Sequence, residues 1–259
     1  ILKNNNDNIE IDVDVAMKRG SYINEKFDEM IISFLYKDGI LNMDDISMTR
    51  GDLMGIQATG VIPISNEKSN RLPILLNSTF TNVSLSLVNK FLPSFYKITG
   101  NATGSINLNG LPRNTKFDYS LNASKFFFDK INIGETSISG NYDSQKLYIN
   151  GLAIKNRQDS LIVDGFLPFD FNISSEDFGS LAEDNEFDFS LKSNSSSLYF
   201  LTPYIEDLDS LNGNIDLTLK LSGKSNDIQR NGRIKITDGV AYTLLLNDPI
   251  SRINGEANM

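Results

Sequence analysis

The chain contains no cysteine and no histidine. Their absence removes a large part of the catalytic repertoire. No thiolate nucleophile, no serine-histidine-aspartate triad and no histidine-bearing zinc or haem site can be assembled. The lack of cysteine is compatible with an oxidising compartment. No apolar run approaches the ~20 residues that a membrane-spanning helix needs. Nor is there a basic stripe. The 24 Lys and Arg are scattered among 33 Asp and Glu, for a net charge of -9, which argues against nucleic acid as a partner.

What the chain does have is strict alternation of apolar and polar residues. It is plain in Ile9-Glu10-Ile11-Asp12-Val13-Asp14-Val15, in Phe117-Asp118-Tyr119-Ser120-Leu121-Asn122 and in Phe187-Asp188-Phe189-Ser190-Leu191-Lys192. It returns in Ile215-Asp216-Leu217-Thr218-Leu219-Lys220-Leu221 and in Ile234-Lys235-Ile236. Successive side chains of a strand point to opposite faces, so each run makes one apolar face and one wet face. Turn signals separate the runs: Lys37-Asp38-Gly39, Asn109-Gly110, Ser139-Gly140-Asn141, Asn150-Gly151, Ser222-Gly223 and Asp238-Gly239. At roughly a dozen residues per strand and turn, about 18 strands are expected. Open sheets rarely exceed ~10 strands without curling, splitting or closing. A strongly curled sheet, or more than one sheet, is therefore expected.

Two segments depart from period two. Residues 82–96 carry Leu85, Val88, Phe91, Leu92 and Phe95 at helical spacing, after Asn82 or Ser84 as possible caps. Residues 197–208 carry Leu198, Leu201, Ile205 and Leu208 in the same way. Each is expected to form a short helix at one end of a sheet.

The chain also repeats. Tyr36, Leu41-Asn42-Met43 and Gly60-Val61-Ile62-Pro63 match Tyr142, Leu147-Tyr148-Ile149 and Gly165-Phe166-Leu167-Pro168, at an offset of 105 to 106. Gly100 and Gly110 then match Gly213 and Gly223 at an offset of 113, the added residues falling in the polar stretch 174–186. This divides the chain into units of approximately 9–110 and 117–223, with a partial third at 232–259. The chain opens at Ile1 without an initiator or leader and closes inside a strand pattern. It is therefore expected to be a piece of a longer protein, with any signal peptide or anchor outside it.

These units resemble the AsmA-like/TamB superfamily of cell-envelope proteins. The residues that carry the resemblance run from Met30 through Leu41, then through Ala58-Thr59-Gly60-Val61-Ile62-Pro63 and Asp164-Gly165-Phe166-Leu167-Pro168. A last block holds Leu211-Asn212-Gly213, Leu221-Ser222-Gly223 and Gly232-Arg233-Ile234-Lys235-Ile236-Thr237-Asp238-Gly239. The chain departs from the family where Lys224 replaces a common Thr, and where Asn226-Asp227 stand near an expected Pro. The resemblance implies an all-β, elongated, U-shaped β-groove, a β-taco, in the periplasm of a diderm bacterium. It implies an inner-membrane anchor elsewhere in the chain and a role in moving phospholipid toward the outer membrane. The family is also linked to outer-membrane protein assembly through a barrel partner.

The residues expected on the inner, lipid-facing side are Ile11, Val13, Val15, Phe117, Tyr119, Leu121, Phe187, Phe189, Leu191, Ile215, Leu217, Leu219, Leu221, Ile234 and Ile236. The bland alternative is that they fill the dry core of a sandwich or barrel. About 18 strands stacked at 4.8 Å would make a trough roughly 85 Å long, and such a trough needs no catalytic residue, cofactor or metal.

The remaining motifs read as structure. Gly223-Lys224-Ser225 resembles the end of a phosphate loop but has Thr218 where the upstream glycine belongs and no helix to follow. Ser65-Asn66-Glu67-Lys68 lies in a polar turn without the partner motifs of a serine-lysine enzyme. Asp12, Asp14, Asp44 and Asp45 read as solvated acids rather than a calcium site. No acid, base and nucleophile set converges, so an enzyme is the least favoured class. Two rivals to the lipid bridge are strand pairing with nascent outer-membrane proteins at a sheet edge and a structural or adhesive β-repeat with a closed core.

Overall fold

The computed structural model describes residues 2–5, 8–22, 25–86, 89, 97–129, 131–156, 159–171, 180–181, 185–198, 202, 207–224 and 227–259. Nearly all of them are antiparallel strand. The strands are β1 (Leu2–Asn5), β2 (Asn8–Tyr22), β3 (Glu25–Lys37), β4 (Ile40–Arg50), β5 (Met54–Pro63), β6 (Ile74–Ser84), β7 (Ile98–Leu111) and β8 (Asn114–Phe128). They continue as β9 (Ile131–Asp143), β10 (Lys146–Asn156), β11 (Asp159–Asp170), β12 (Ser180–Leu181), β13 (Phe187–Ser197), β14 (Leu208–Lys224), β15 (Asp227–Thr243) and β16 (Ile250–Asn258). One sheet orders β1 to β11 and then β13 to β16 as an uninterrupted meander, with β12 paired to the end of β11. The sheet is not closed, since β1 and β16 bond only to β2 and β15. Fifteen strands at 4.8 Å extend about 70 Å, somewhat less than expected from the turn spacing.

Hairpins follow from local turn chemistry. Asp38 and Gly39 have φ of 51° and 75°, the signature of a type I′ turn whose twist suits the flanking strands. Ser144 and Gln145 make the equivalent turn at φ of 53° and 60° without a glycine.

The one helix among the described residues is α1 (Asn66–Ser69), where a polar turn was expected. Ser65 caps it by accepting from the Lys68 N–H at 3.3 Å. The two expected helices fall largely outside the described residues. Asn82 lies within β6, whereas Ser84, at the end of that strand, accepts from the Ser86 N–H at 3.3 Å in the manner of a cap. The Asn82 N–H donates to Thr103 Oγ1 at 2.9 Å and its side-chain amide to the Leu53 carbonyl at 2.7 Å, which ties this end of β6 to its neighbours.

Strand bends come from β-bulges, and the bulges obey the repeat. The shift between Ser33 and Phe34 recurs between Ser139 and Gly140, and that between Met43 and Ile46 recurs between Ile149 and Leu152, both at an offset of 106. Those at Phe80/Val83, Thr99/Asn101 and Ala123/Phe126 recur at Ser193/Ser196, Asn212/Asn214 and Ile236/Gly239, all at 113. Each bulge adds a residue to one strand, sharpening the local twist and bend. A sheet bulged at the same place in successive units curls the same way along its length.

The result is not compact. A folded monomer of 28.9 kDa is expected to expose about 11,400 Å², whereas this chain exposes 16556 Å². Only thirteen described apolar residues are buried. Three of them, Phe27, Met48 and Met54, form a small cluster with Met30, Ile56 and Val83 at one rim.

Candidate functional site

Residues directly opposite one another on neighbouring strands lie on the same face of a sheet. One row can therefore be followed strand by strand: Val15, Ile32, Ile46, Ala58, Ser78, Ile106 and Tyr119. It continues through Gly140, Ile149, Gly165, Phe189, Leu221 and Arg230. Thirteen strands contribute, and the row is apolar or glycine at every position but Ser78 and its last, Arg230. A parallel row runs Val13, Phe34, Met43, Gly60, Leu76, Leu108, Phe117, Tyr142, Leu147 and Leu167.

All fifteen residues expected on the inner side fall on this face. Ile11 stands opposite Tyr36, and Leu121 opposite Ile138. Phe187 stands opposite Gly223, Leu191 opposite Leu219, Leu217 opposite Ile234, and Ile215 opposite Ile236. Of the fifteen, only Tyr119 and Ile215 are buried, at 9% and 6% exposure; Val15 is exposed and the other twelve are half-buried. A dry core would cover them. Here they line the inside of an open trough and keep part of their surface in water.

The opposite face carries the charge. Lys37 pairs with Glu10 at 3.0 Å, Lys116 with Asp143 at 2.8 Å, Lys220 with Asp188 at 3.1 Å and Arg233 with Glu256 at 2.8 Å, each across neighbouring strands. The Lys116 hydrogen bond, helped by the Ser144 hydroxyl, holds the Asp143 carboxyl below the ordinary aspartate range. Asp14 accepts from the Ser33 hydroxyl at 2.6 Å on this outer side. Among the described residues no group of three or more acids is placed to hold a metal ion, and no helix is long and apolar enough to cross a membrane.

The trough is creased at its glycines. A Cβ on Gly60, Gly104, Gly140, Gly165 or Gly232 would fall on a backbone oxygen of the neighbouring strand, those of Leu75, Ser120, Tyr148, Asp188 and Thr218 respectively. Gly60 and Gly165 are the glycines of the repeated Gly-x-x-Pro motif, so the motif marks where the sheet folds too tightly for a side chain. The repeated pairs share backbone geometry too, with φ of 124° and 116° at Gly100 and Gly213, and 97° and 103° at Gly110 and Gly223.

At one lip an aromatic group crosses the face. Phe117 stacks on Tyr142 with ring centroids 5.1 Å apart, and Phe171 meets both edge-on at 5.6 and 5.3 Å. Phe169 stacks on Phe171 at 5.4 Å, and the Phe171 N–H donates to Tyr142 Oη at 3.0 Å. Burial raises the Tyr142 phenol pKa, partly offset by that hydrogen bond. Alternation did not single out Tyr142, Phe169 or Phe171. The repeat could have done so for Tyr142, which matches Tyr36. Met43 and Ile149 were missed because bulges interrupt period two in their strands, and Phe34 because β3 carries apolar residues on both faces.

Gly223 and Lys224 end β14 and lead into another strand, not a helix, which fits no phosphate loop. Ser225 lies outside the described residues. Comparison of the chain with protein-family models, curated proteins and solved structures found no match.

Proposed function

We propose that this chain is a stretch of a lipid-conducting trough of the AsmA-like/TamB type, carrying phospholipid acyl tails through the periplasm between inner and outer membranes. The observation that supports the reading is the apolar face itself. It crosses the sheet from β2 to β15 as continuous rows, and nearly every residue nominated on it remains half in water. Exposing two acyl tails of about 32 CH₂ groups to water costs on the order of 25 kcal/mol. A trough offers many small equivalent contacts in place of that water. Similar contacts at each step leave no single tight pocket to trap the lipid. The headgroup stays in solvent at the open side, and the charged outer face keeps the walls soluble. In this reading the anchor and any outer-membrane barrel partner belong to other parts of the protein or to other chains.

The test is native mass spectrometry with lipid extraction on the chain purified from a diderm host. Phospholipid bound in stoichiometric amount is the expected result. A lipid-free mass from a well-folded sheet would reject the reading and favour strand pairing at the sheet edge.

A further inference from the structure

The connection between β15 and β16 has no counterpart earlier in the chain. Where β8 meets β9, Phe126 stands opposite Gly134. Where β15 meets β16, Gly239 stands opposite Ile253. Phe126 and Gly239 are 113 residues apart, but Gly134 and Ile253 are 119 apart, so the later hairpin carries six additional residues.

The added stretch is apolar and projects. Leu244, Leu245 and Leu246 are 74%, 76% and 54% exposed, with Tyr242 and Ile250 also exposed beside them. The other run of three exposed apolar residues among the described ones, Val15-Ala16-Met17, lies within β2 and is less exposed, Val15 at 41% and Met17 at 38%. The loop nevertheless has fixed anchor points. The Leu244 N–H donates to the Asp207 carbonyl at 3.0 Å, and the Leu246 N–H to Thr243 Oγ1 at 3.2 Å. Its base joins the trough, because Ala241 stands opposite Ile250 and Gly239 opposite Ile253 on the apolar face.

We infer that this loop inserts its three leucines into the surface of a lipid bilayer and so seats this rim of the trough on a membrane. Two observations favour a bilayer over a protein partner. A stable protein interface takes about 20–30 residues a side, and here only five apolar residues are offered on a projecting loop. Polarity is also graded along the hairpin. Leucines form the tip, Tyr242 brings a ring with a polar end at the foot, and the charges lie at the base: Asp248 and Arg252 along the hairpin and Asp207 beside Leu244. That order matches tails, headgroups and water at a bilayer surface. With a net charge of -9 and one acid in the loop, attraction to the membrane is apolar rather than ionic. This contact stands independently of whether the trough carries lipid.

The chain has no tryptophan, so Leu245→Trp installs a single fluorophore at the tip. Titration with phosphatidylcholine vesicles is expected to shift its emission to the blue, equally at low and high salt, with quenching by brominated lipid. Adding Leu244→Ser or Leu246→Ser to that reporter is expected to weaken partitioning about tenfold each, with the circular dichroism unchanged. Emission that stays water-like at every lipid concentration would overturn the inference. So would a blue shift that depends on protein concentration without vesicles, which would assign the loop to contacts between copies.

Discussion

Tyr119 lies across Gly140. The two stand opposite one another on β8 and β9, and the phenol hydroxyl reaches past the glycine to donate to the Tyr148 carbonyl of β10 at 3.0 Å. One side chain thereby ties three strands together at the crease of the trough. The arrangement works only because the middle strand has no side chain at that point.

Gly140→Ala is accordingly expected to destabilise the fold by about 3 kcal/mol or more, since the new methyl would meet the Tyr148 oxygen and lie 2.7 Å from Tyr119 Oη. Gly151→Ala is the matched control, because nothing lies within 4 Å of a Cβ there. It is expected to change stability by about 0.5 kcal/mol or less. Urea midpoints of the two variants decide the point; equal losses would mean that the crease is not tight.

Burial pushes the Tyr119 phenol up to about 12, whereas tyrosine in an unfolded chain ionises near 10. Between those values the folded state keeps a proton that the unfolded state releases, so stability falls as pH rises through that window. Tyr119→Phe is expected to remove this part of the alkaline slope. It should also cost about 1 kcal/mol at neutral pH for the lost hydrogen bond. Denaturation midpoints followed across the alkaline range would show both effects.

Leu217 and Ile215 share a strand and a face but differ in cover: Ile215 is 6% exposed and Leu217 is half-buried. Leu217→Asp is expected to cost less than about 2 kcal/mol, because its carboxylate can turn to water. It is also expected to strip co-purifying lipid. Ile215→Asp leaves a buried, unpaired charge and is expected to cost about 4 kcal/mol or more. Circular dichroism melts separate the two, and unfolding by both substitutions would contradict an open trough.

Gln145 holds a φ of 60° in the turn between β9 and β10, a conformation that glycine adopts without strain. Gln145→Gly is expected to raise stability by about 0.4–1 kcal/mol, read as a higher urea midpoint.

Alternation carried the inner face because each strand has a wet and a dry side, and every residue it nominated lies on one side of the sheet. The face was legible within strands and silent between them. Whether Leu121 meets Ile138 or a neighbour one place along depends on bulges, which arise from pairing between distant stretches. Period two also fails where a strand bulges, which hid Met43 and Ile149. At Asn82 cross-strand hydrogen bonds to Thr103 and Leu53 hold the chain in β6, while most of the helically spaced stretch that follows lies outside the described residues. The leucines at 244–246 have no period at all, and only the repeat shows them to be an addition.

Because each strand of the meander bonds only to the strands beside it, with β11 also holding the short β12, the molecule behaves as a one-dimensional chain of springs. Local openings need not melt the whole. Pulled along its length, such a sheet would give way strand by strand. Its reach is set by the number of units in register, so evolution could lengthen or shorten it by whole units without redesigning a core.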